Sequence, residues 1–169
     1  MKTIYLLRHA KSSWDDDSLS DFERPLNRRG LATAPLMGEV MASRGYSPSA
    51  VISSPAKRAA TTAALVREAA SLEGDIRYDE RIYEASPGSL TTVVSQLDDS
   101  LASAMIVGHN PGMESFIRKL TGEVEPMPTA ALAVIQLTID SWSEIEAGSG
   151  VLVEVIRPKD EMRTASSAE

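Results

Sequence analysis

The sequence predicts an α/β domain in which a largely parallel sheet, covered by helices on both faces, ends in an antiparallel hairpin. Three observations predict it. The apolar runs at residues 3–7, 50–52 and 104–107 are short and continuous, as expected of strands buried on both faces. Helical patterns stand between them, the order that makes strands parallel and layers helices on either side. Finally, the runs at 131–139 and 151–156 are separated only by residues 140–150, and the turn-like string Glu146-Ala147-Gly148-Ser149-Gly150 joins them as a hairpin.

The elements follow in order. After the first strand, Asn27 is suited to cap a helix that runs to about Ser43 and stops at Gly45. Pro35 lies inside that pattern and removes one backbone donor, so it either kinks the helix or displaces its start. Pro55 suits the first turn of an alanine-rich helix continuing to about Ser71. Ser89 is placed to cap a helix reaching Leu97, and Pro111 opens another to Leu120. The charge inside Val151-Leu152-Val153-Glu154-Val155 marks a strand near the sheet edge. The acidic segment 15–21 is expected as a mobile loop beside the site. Residues 1–158 are read as a single domain and 159–169, which lack a periodic apolar face, as a flexible tail.

Composition bounds the function. The 169 residues are 43% hydrophobic and 24% charged, enough for one full core and too few for a second domain. A formal net charge of -7 and a pI near 4.9 argue against a nucleic-acid or anionic-membrane surface. With no cysteine, disulfides and thiolate chemistry are excluded, and two histidines make a metal cluster unexpected, so neither metal nor cofactor is called for. The apolar run after Lys2 ends at Arg8, well short of the roughly 7–15 residues of a signal peptide, and nothing approaches the ~20 of a membrane span. A cytoplasmic protein is the expectation.

The two histidines carry the chemistry. His9 follows Tyr5-Leu6-Leu7-Arg8, and His109 follows Met105-Ile106-Val107-Gly108. Both therefore emerge from the ends of strands, where open α/β sheets bind ligands. A third segment, Ser53-Ser54-Pro55-Ala56-Lys57-Arg58, also follows a strand. Two imidazoles and two guanidiniums converging there would suit a phosphoryl group. A neutral imidazole at His9 can attack phosphorus through one ring nitrogen while an acceptor holds the other. Arg8 and Arg58 offer planar, permanently charged forks to the nonbridging oxygens. His109, protonated beside an anion, adds a donor, and the helix start at Asn110-Pro111-Gly112 adds backbone donors. Arg24, in Arg24-Pro25-Leu26-Asn27, either returns to the pocket as an anion ligand or pairs with Asp21 or Glu23 at its rim.

These strings carry a family resemblance. Arg8-His9-Ala10 resembles the Arg-His-Gly signature of the histidine phosphatase superfamily, the phosphoglycerate-mutase-like proteins. Ser54-Pro55-Ala56-Lys57-Arg58-Ala59-Ala60-Thr61-Thr62 is similar to its Ser-Pro-x-x-Arg-Ala-x-x-Thr segment, and Gly108-His109-Asn110-Pro111 to its second histidine motif. The segments Arg8 to Trp14 and Asp21-Phe22-Glu23-Arg24-Pro25-Leu26-Asn27 resemble the small SixA-type phosphohistidine phosphatase branch. The resemblance implies a three-layer α/β/α sandwich, His9 as nucleophile, and Arg8, Arg58 and His109 as phosphate ligands. Ala10 stands where the superfamily usually has glycine and so requires an ordinary backbone conformation.

Glu84 falls where many superfamily phosphatases place a proton-donating carboxylate; the alternative is a solvated loop residue. Glu114 is a weaker candidate, expected on the exposed face of its helix. The reading that results is a metal-independent phosphatase, acting on a phosphohistidine carried by another protein and releasing inorganic phosphate. A small phosphate ester is the alternative substrate, and a noncatalytic phosphate-binding protein the alternative from another class. Neither nucleic acid nor membrane is an expected partner.

Overall fold

The computed structural model describes residues 1–162. Six strands form one sheet: β1 (Lys2–Arg8), β2 (Val51–Ser53), β3 (Arg77–Tyr78), β4 (Ser103–Gly108), β5 (Leu132–Leu137) and β6 (Gly150–Ile156). Their order is β3-β2-β4-β1-β5-β6. β1 and β4 pair in parallel, as do β2 and β4 and β2 and β3, whereas β5 runs antiparallel to both β1 and β6. The mostly parallel sheet with a terminal hairpin is thus as the sequence predicts. Two details differ. β5 is shorter than the apolar run at 131–139, and β3, a two-residue exposed edge strand with no apolar run of its own, was not among the predicted strands.

Strand alternation sorts the core into two layers. Ile4 and Leu6 of β1 and Ala104 and Ile106 of β4 pack against Leu90 and Val93 of α3 (Pro87–Ser95) and Phe116 and Ile117 of α4 (Gly112–Thr121). Tyr5, Leu7, Met105 and Val107 point the other way, onto Met37 and Met41 of α1 (Arg28–Ser43) and Ala59 and Val66 of α2 (Lys57–Ala69). Because both faces are covered, the central strands carry continuous apolar runs. Among the described residues, no helix is long and apolar enough to cross a membrane.

The helix boundaries show which local signals prevail. Asn27 caps α1, its side chain accepting from Gly30 N at 2.9 Å, and Pro35 sits within the helix without displacing its start. α2 begins at Lys57, later than Pro55 suggested, because Ser54 Oγ accepts from Ala56 N at 3.2 Å and holds the Ser54–Ala56 turn outside the helix. The cap of α3 is Ser86 rather than Ser89: Pro87 takes the first helical position, and Ser89 N donates to Ser86 Oγ at 3.1 Å. Residues 158–162 form a helical turn, tied down by Arg44 Nη2 donating to Glu161 at 2.7 Å. The remainder of the tail expected over 159–169, residues 163–169, lies outside the described residues.

α1 also braces the chain just after His9. Asn27 N donates to Lys11 O at 2.9 Å, and a β-carbon on Gly30 would lie 2.2 Å from that same carbonyl. Glycine at this position lets the first turn of α1 lie directly on the backbone of the segment that follows β1.

Candidate active site

Parallel pairing explains why distant motifs meet. Arg8 is in register with Gly108, and His9 N donates to Gly108 O at 3.0 Å, so the residues following β1 and β4 emerge side by side. β2 flanks β4 on its other side, with Ser54 N donating to Val107 O at 2.9 Å. The three strand ends thus lie together at the C-terminal edge of the sheet. The rings of His9 and His109 stand 5.1 Å apart between centroids. An open cleft of about 430 Å³ is lined here by residues including Asp21, Arg58, Glu84, His109 and Pro111. α4 begins in its wall. A β-carbon on Gly112 would lie 2.7 Å from Ala85 O, so glycine allows the Ala85–Ser86 segment to approach the helix start.

Four side chains divide their polar atoms in the same way. His9 Nδ1 lies 2.7 Å from Ala10 O; a carbonyl only accepts, so Nδ1 carries the proton and Nε2 keeps its lone pair. Arg8 Nη1 donates to Met127 O at 2.9 Å, leaving Nε buried without a partner. Arg58 Nη1 donates to Asp21 O at 2.6 Å and Nη2 to Asp21 Oδ2 at 3.0 Å, while Nε makes no hydrogen bond among the described residues. His109 Nε2 lies 2.8 Å from Ser54 Oγ, and its Nδ1 is buried and unpartnered. Ser54 Oγ also accepts from Ala56 N; when it donates its own proton to Nε2, the ring proton of His109 sits on Nδ1. Each residue is anchored through one edge and keeps another unspent.

Burial and positive neighbours keep both rings neutral. His9 is lowered to about 4, first by burial and then by the charges of Arg58, Arg8 and Arg24, against the opposing bond to Ala10 O. His109 is lowered to about 3 by burial, His9, Arg58 and Arg8, with Asp21 opposing. His109 is therefore neutral while no anion is bound; the protonated ring expected from the sequence belongs to the state beside an anion. Because both pKa values lie below the ordinary 6.5, the unfolded chain binds more protons between pH 6.5 and about 4, and folding stability falls as pH drops through that window.

Imidazole nitrogen NMR tests this directly, since the chain has two histidines and so two ring spin systems. Both rings are expected to be neutral at pH 6, with the His9 proton on Nδ1. Half-protonation of either ring between pH 6 and 6.5 would contradict the assignment.

The remaining candidates are placed as follows. Arg24 is buried and close enough to His9 to lower its pKa, yet its own donors go to Asp21 Oδ1 at 3.1 Å, Ser13 O at 3.0 Å and Ser12 Oγ at 2.5 Å. Its alternatives thus resolve toward pairing with Asp21, beneath the exposed ring of Trp14 at 3.2 Å. Glu84 is exposed on the cleft rim and sits in the left-handed region, at φ 54°. Such a conformation is uncommon for a non-glycine residue and is tolerated where the surroundings impose it. Glu114 is not on an exposed face: it accepts from Asn110 Nδ2, whose amide also donates to Met127 O at 2.9 Å, and its charge favours that of Arg8. Ala10 has no positive φ and is buried, its N–H donating to Thr62 Oγ1 at 2.9 Å.

Sequence reasoning missed Ser54, Tyr83 and the Met127 carbonyl as members of this site, and treated Asp21 only as a partner for Arg24. Ser54 lies inside the Ser54-Pro55 motif, and the Asp21–Arg24 spacing is visible in the sequence. Nothing local marked Met127, which reaches Arg8 across 119 positions. Among the described residues, no group of three or more His, Cys, Asp or Glu side chains is arranged to hold a metal ion.

Comparison with known proteins agrees with this geometry. A relative from Arabidopsis thaliana, an uncharacterised chloroplastic protein, is 32% identical over 158 residues, covering 88% of this chain and 72% of the relative. A crystal structure provisionally assigned to the phosphohistidine phosphatase SixA of Agrobacterium tumefaciens superposes with a TM-score of 0.80 at 30% identity, covering 93% of this chain and 98% of that one. The protein histidine phosphatase SixA complexed with tungstate shares the fold, with a TM-score of 0.82 at 22% identity, covering 94% and 98%. The model of the histidine phosphatase superfamily (branch 1) matches residues 4–116, from β1 into α4 and through both histidine motifs. The chain therefore belongs to the histidine phosphatase superfamily, with the SixA-type, phosphoglycerate mutase-like fold, and is a phosphatase.

Proposed function

We propose that this phosphatase works without a metal ion, through a phosphoryl group carried transiently on His9, and that its substrate is a phosphohistidine on another protein in the cytoplasm. The observation that carries the reading is the set of unspent atoms around the histidine pair: one lone pair at His9 Nε2, donors at Arg8 Nε and Arg58 Nε, and the unpartnered His109 Nδ1, which donates in the Nδ1–H tautomer. Leaving a buried donor unpaired costs about 1–3 kcal/mol, and two of these are buried. A phosphoryl oxygen at each would satisfy them. In the first step the His9 Nε2 lone pair attacks phosphorus, the bond from phosphorus to the substrate nitrogen breaks, and the departing imidazole takes a proton from solvent in the open cleft. In the second, water attacks the phosphorus on His9, losing a proton; phosphate leaves and Nε2 recovers its lone pair. The positive groups act on charge spread over the nonbridging oxygens, where preorganised donors contribute most.

Three features support a protein substrate. The cleft is open, and only β3, a short 3-10 turn at Glu80–Ile82 and α3 stand between α2 and β4, with no lid. Trp14 is 77% exposed and Phe22 40% exposed beside the site, and exposed aromatic surface marks places where partners dock. The A. tumefaciens structure, at 30% identity, carries a phosphohistidine phosphatase assignment.

One observation favours a small phosphate ester instead: Glu84 lines the same cleft as Arg58 and His109, where it can protonate a poor leaving group. A panel comparing a phosphohistidine protein, an aryl phosphate and an alkyl phosphate separates the readings. Phosphohistidine is expected to be the best substrate by kcat/KM. Glu84→Gln is expected to impair alkyl phosphate hydrolysis far more than that of phosphohistidine, whose leaving group needs less proton assistance. An alkyl phosphate preferred by wild type and lost in Glu84→Gln would establish the small-ester reading.

A further inference from the structure

Asp21 lies outside the three strand-end motifs that supply Arg8, His9, Arg58 and His109, yet it joins several parts of the site. It opens a 3-10 turn, Asp21–Glu23, beyond the acidic loop. Its Oδ2 accepts from Arg58 Nη2 at 3.0 Å and from the Tyr83 hydroxyl at 2.6 Å, its Oδ1 from Arg24 Nη1 at 3.1 Å, and its carbonyl from Arg58 Nη1 at 2.6 Å. Three chain segments, the 12–24 loop, α2 and the turn before α3, are thereby joined at one carboxylate. Tyr83 in turn packs edge-on against His109, with centroids 5.5 Å apart.

The edge of Arg58 that is used matters most. A guanidinium presents two forks: an end-on fork made by Nη1 and Nη2, and a side-on fork made by Nη2 and Nε. Asp21 takes the end-on fork completely, with a backbone and a side-chain oxygen. That leaves Nε and the second proton of Nη2 as a parallel pair of donors. Arg58 is buried, and among the described residues these two bonds to Asp21 are the hydrogen bonds that its head makes.

We propose that Asp21 is a positioning residue for phosphoryl transfer: by holding the end-on edge of Arg58, it turns the side-on fork to the phosphoryl oxygens. The inference rests on Arg58 binding the phosphoryl group, as in the function proposed above. A carboxylate beside an anion site also repels the incoming phosphate, so its presence needs a compensating gain; the fixed orientation of Arg58 supplies it. Tyr83, Arg58 and Arg24 hold the Asp21 pKa down to about 2, so the clamp stays charged throughout the working range.

A double-mutant cycle with inorganic phosphate and tungstate as probes tests the proposal. Asp21→Ala is expected to lower kcat by roughly 10-fold or more and to weaken inhibition by both anions, with Asp21→Glu restoring part of each. In an Arg58→Ala background the same change is expected to have less than about a two-fold effect, since its consequence passes through Arg58. Tighter anion binding in Asp21→Ala would make Asp21 a competitor for the site and overturn the proposal, as would a loss that adds fully to that of Arg58→Ala. Wild-type turnover in Arg58→Ala alone would instead remove the underlying phosphatase assignment of Arg58. Thermal unfolding of each variant identifies one that does not fold; Asp21→Asn, which keeps the shape and removes the charge, then serves in its place with the same expected direction.

Discussion

His9→Ala is expected to leave a folded protein without measurable turnover, a loss on the order of 10⁴-fold or more, as found when an enzyme loses its nucleophile. Two physical points set this size. Electrostatic groups around the site can stabilise a phosphoryl group but cannot replace the atom that bonds to phosphorus, so Arg8, Arg58 and His109 do not compensate. The fold, in contrast, depends little on the ring: its hydrogen bond is to the neighbouring Ala10 carbonyl, and it bridges no distant elements by hydrogen bonding. The variant is also expected to resist acid better than wild type. A ring with a folded pKa of about 4 costs about 3 kcal/mol of stability at pH 4 relative to pH 7, and alanine removes that cost. Circular dichroism melts at pH 7 and pH 4.5, beside activity on a phosphohistidine protein, check both halves. Full activity in the variant would end the proposed mechanism.

Arg58→Ala is expected to lower kcat by roughly 10²-fold or more, the scale of removing one preorganised donor to developing charge. Arg58→Lys is expected to recover only part of this. An ammonium keeps the charge but offers no planar fork, and it cannot hold Asp21 by two bonds while presenting two more donors to phosphate. Part of the loss reflects the ion pair as well, because truncation leaves the Asp21 carboxylate facing the cleft with one cation fewer. Steady-state kinetics of wild type and both variants, with tungstate inhibition measured alongside, gives the sizes. Equal kinetics for all three would place Arg58 outside the reaction.

Much of this site is legible in the sequence, for a physical reason. Strand ends are marked by where an apolar run stops, and in a parallel sheet consecutive C-terminal ends lie on one edge. The strings Leu7-Arg8-His9, Val107-Gly108-His109 and Ile52-Ser53-Ser54 therefore pointed to a shared pocket, and the register of β1 with β4 places the histidines beside each other. Buried strands, the Asn27 cap and the final hairpin were legible for similar local reasons.

What escaped the sequence depends on contacts that no local pattern encodes. Ser86 and Ser89 are both plausible caps in isolation; Pro87 at the first helical position decides between them. β3 has only two residues, both exposed, and forms because β2 offers it an edge. Glu114 looks like an ordinary helix-surface carboxylate until the amide of Asn110 and the charge of Arg8 are found beside it. Arg24 and Asp21 were visible as a spaced pair, but the second guanidinium on Asp21 comes from Arg58, 37 positions away.

The central claim is that phosphate passes through His9 Nε2. Wild-type protein mixed with a phosphohistidine substrate bearing radiolabelled phosphate, stopped rapidly without acid and digested, is expected to yield label on the peptide containing His9, stable to alkali and lost in acid, with none in His9→Ala. Label on another residue, or full turnover with no label on the protein at any time, would contradict the account.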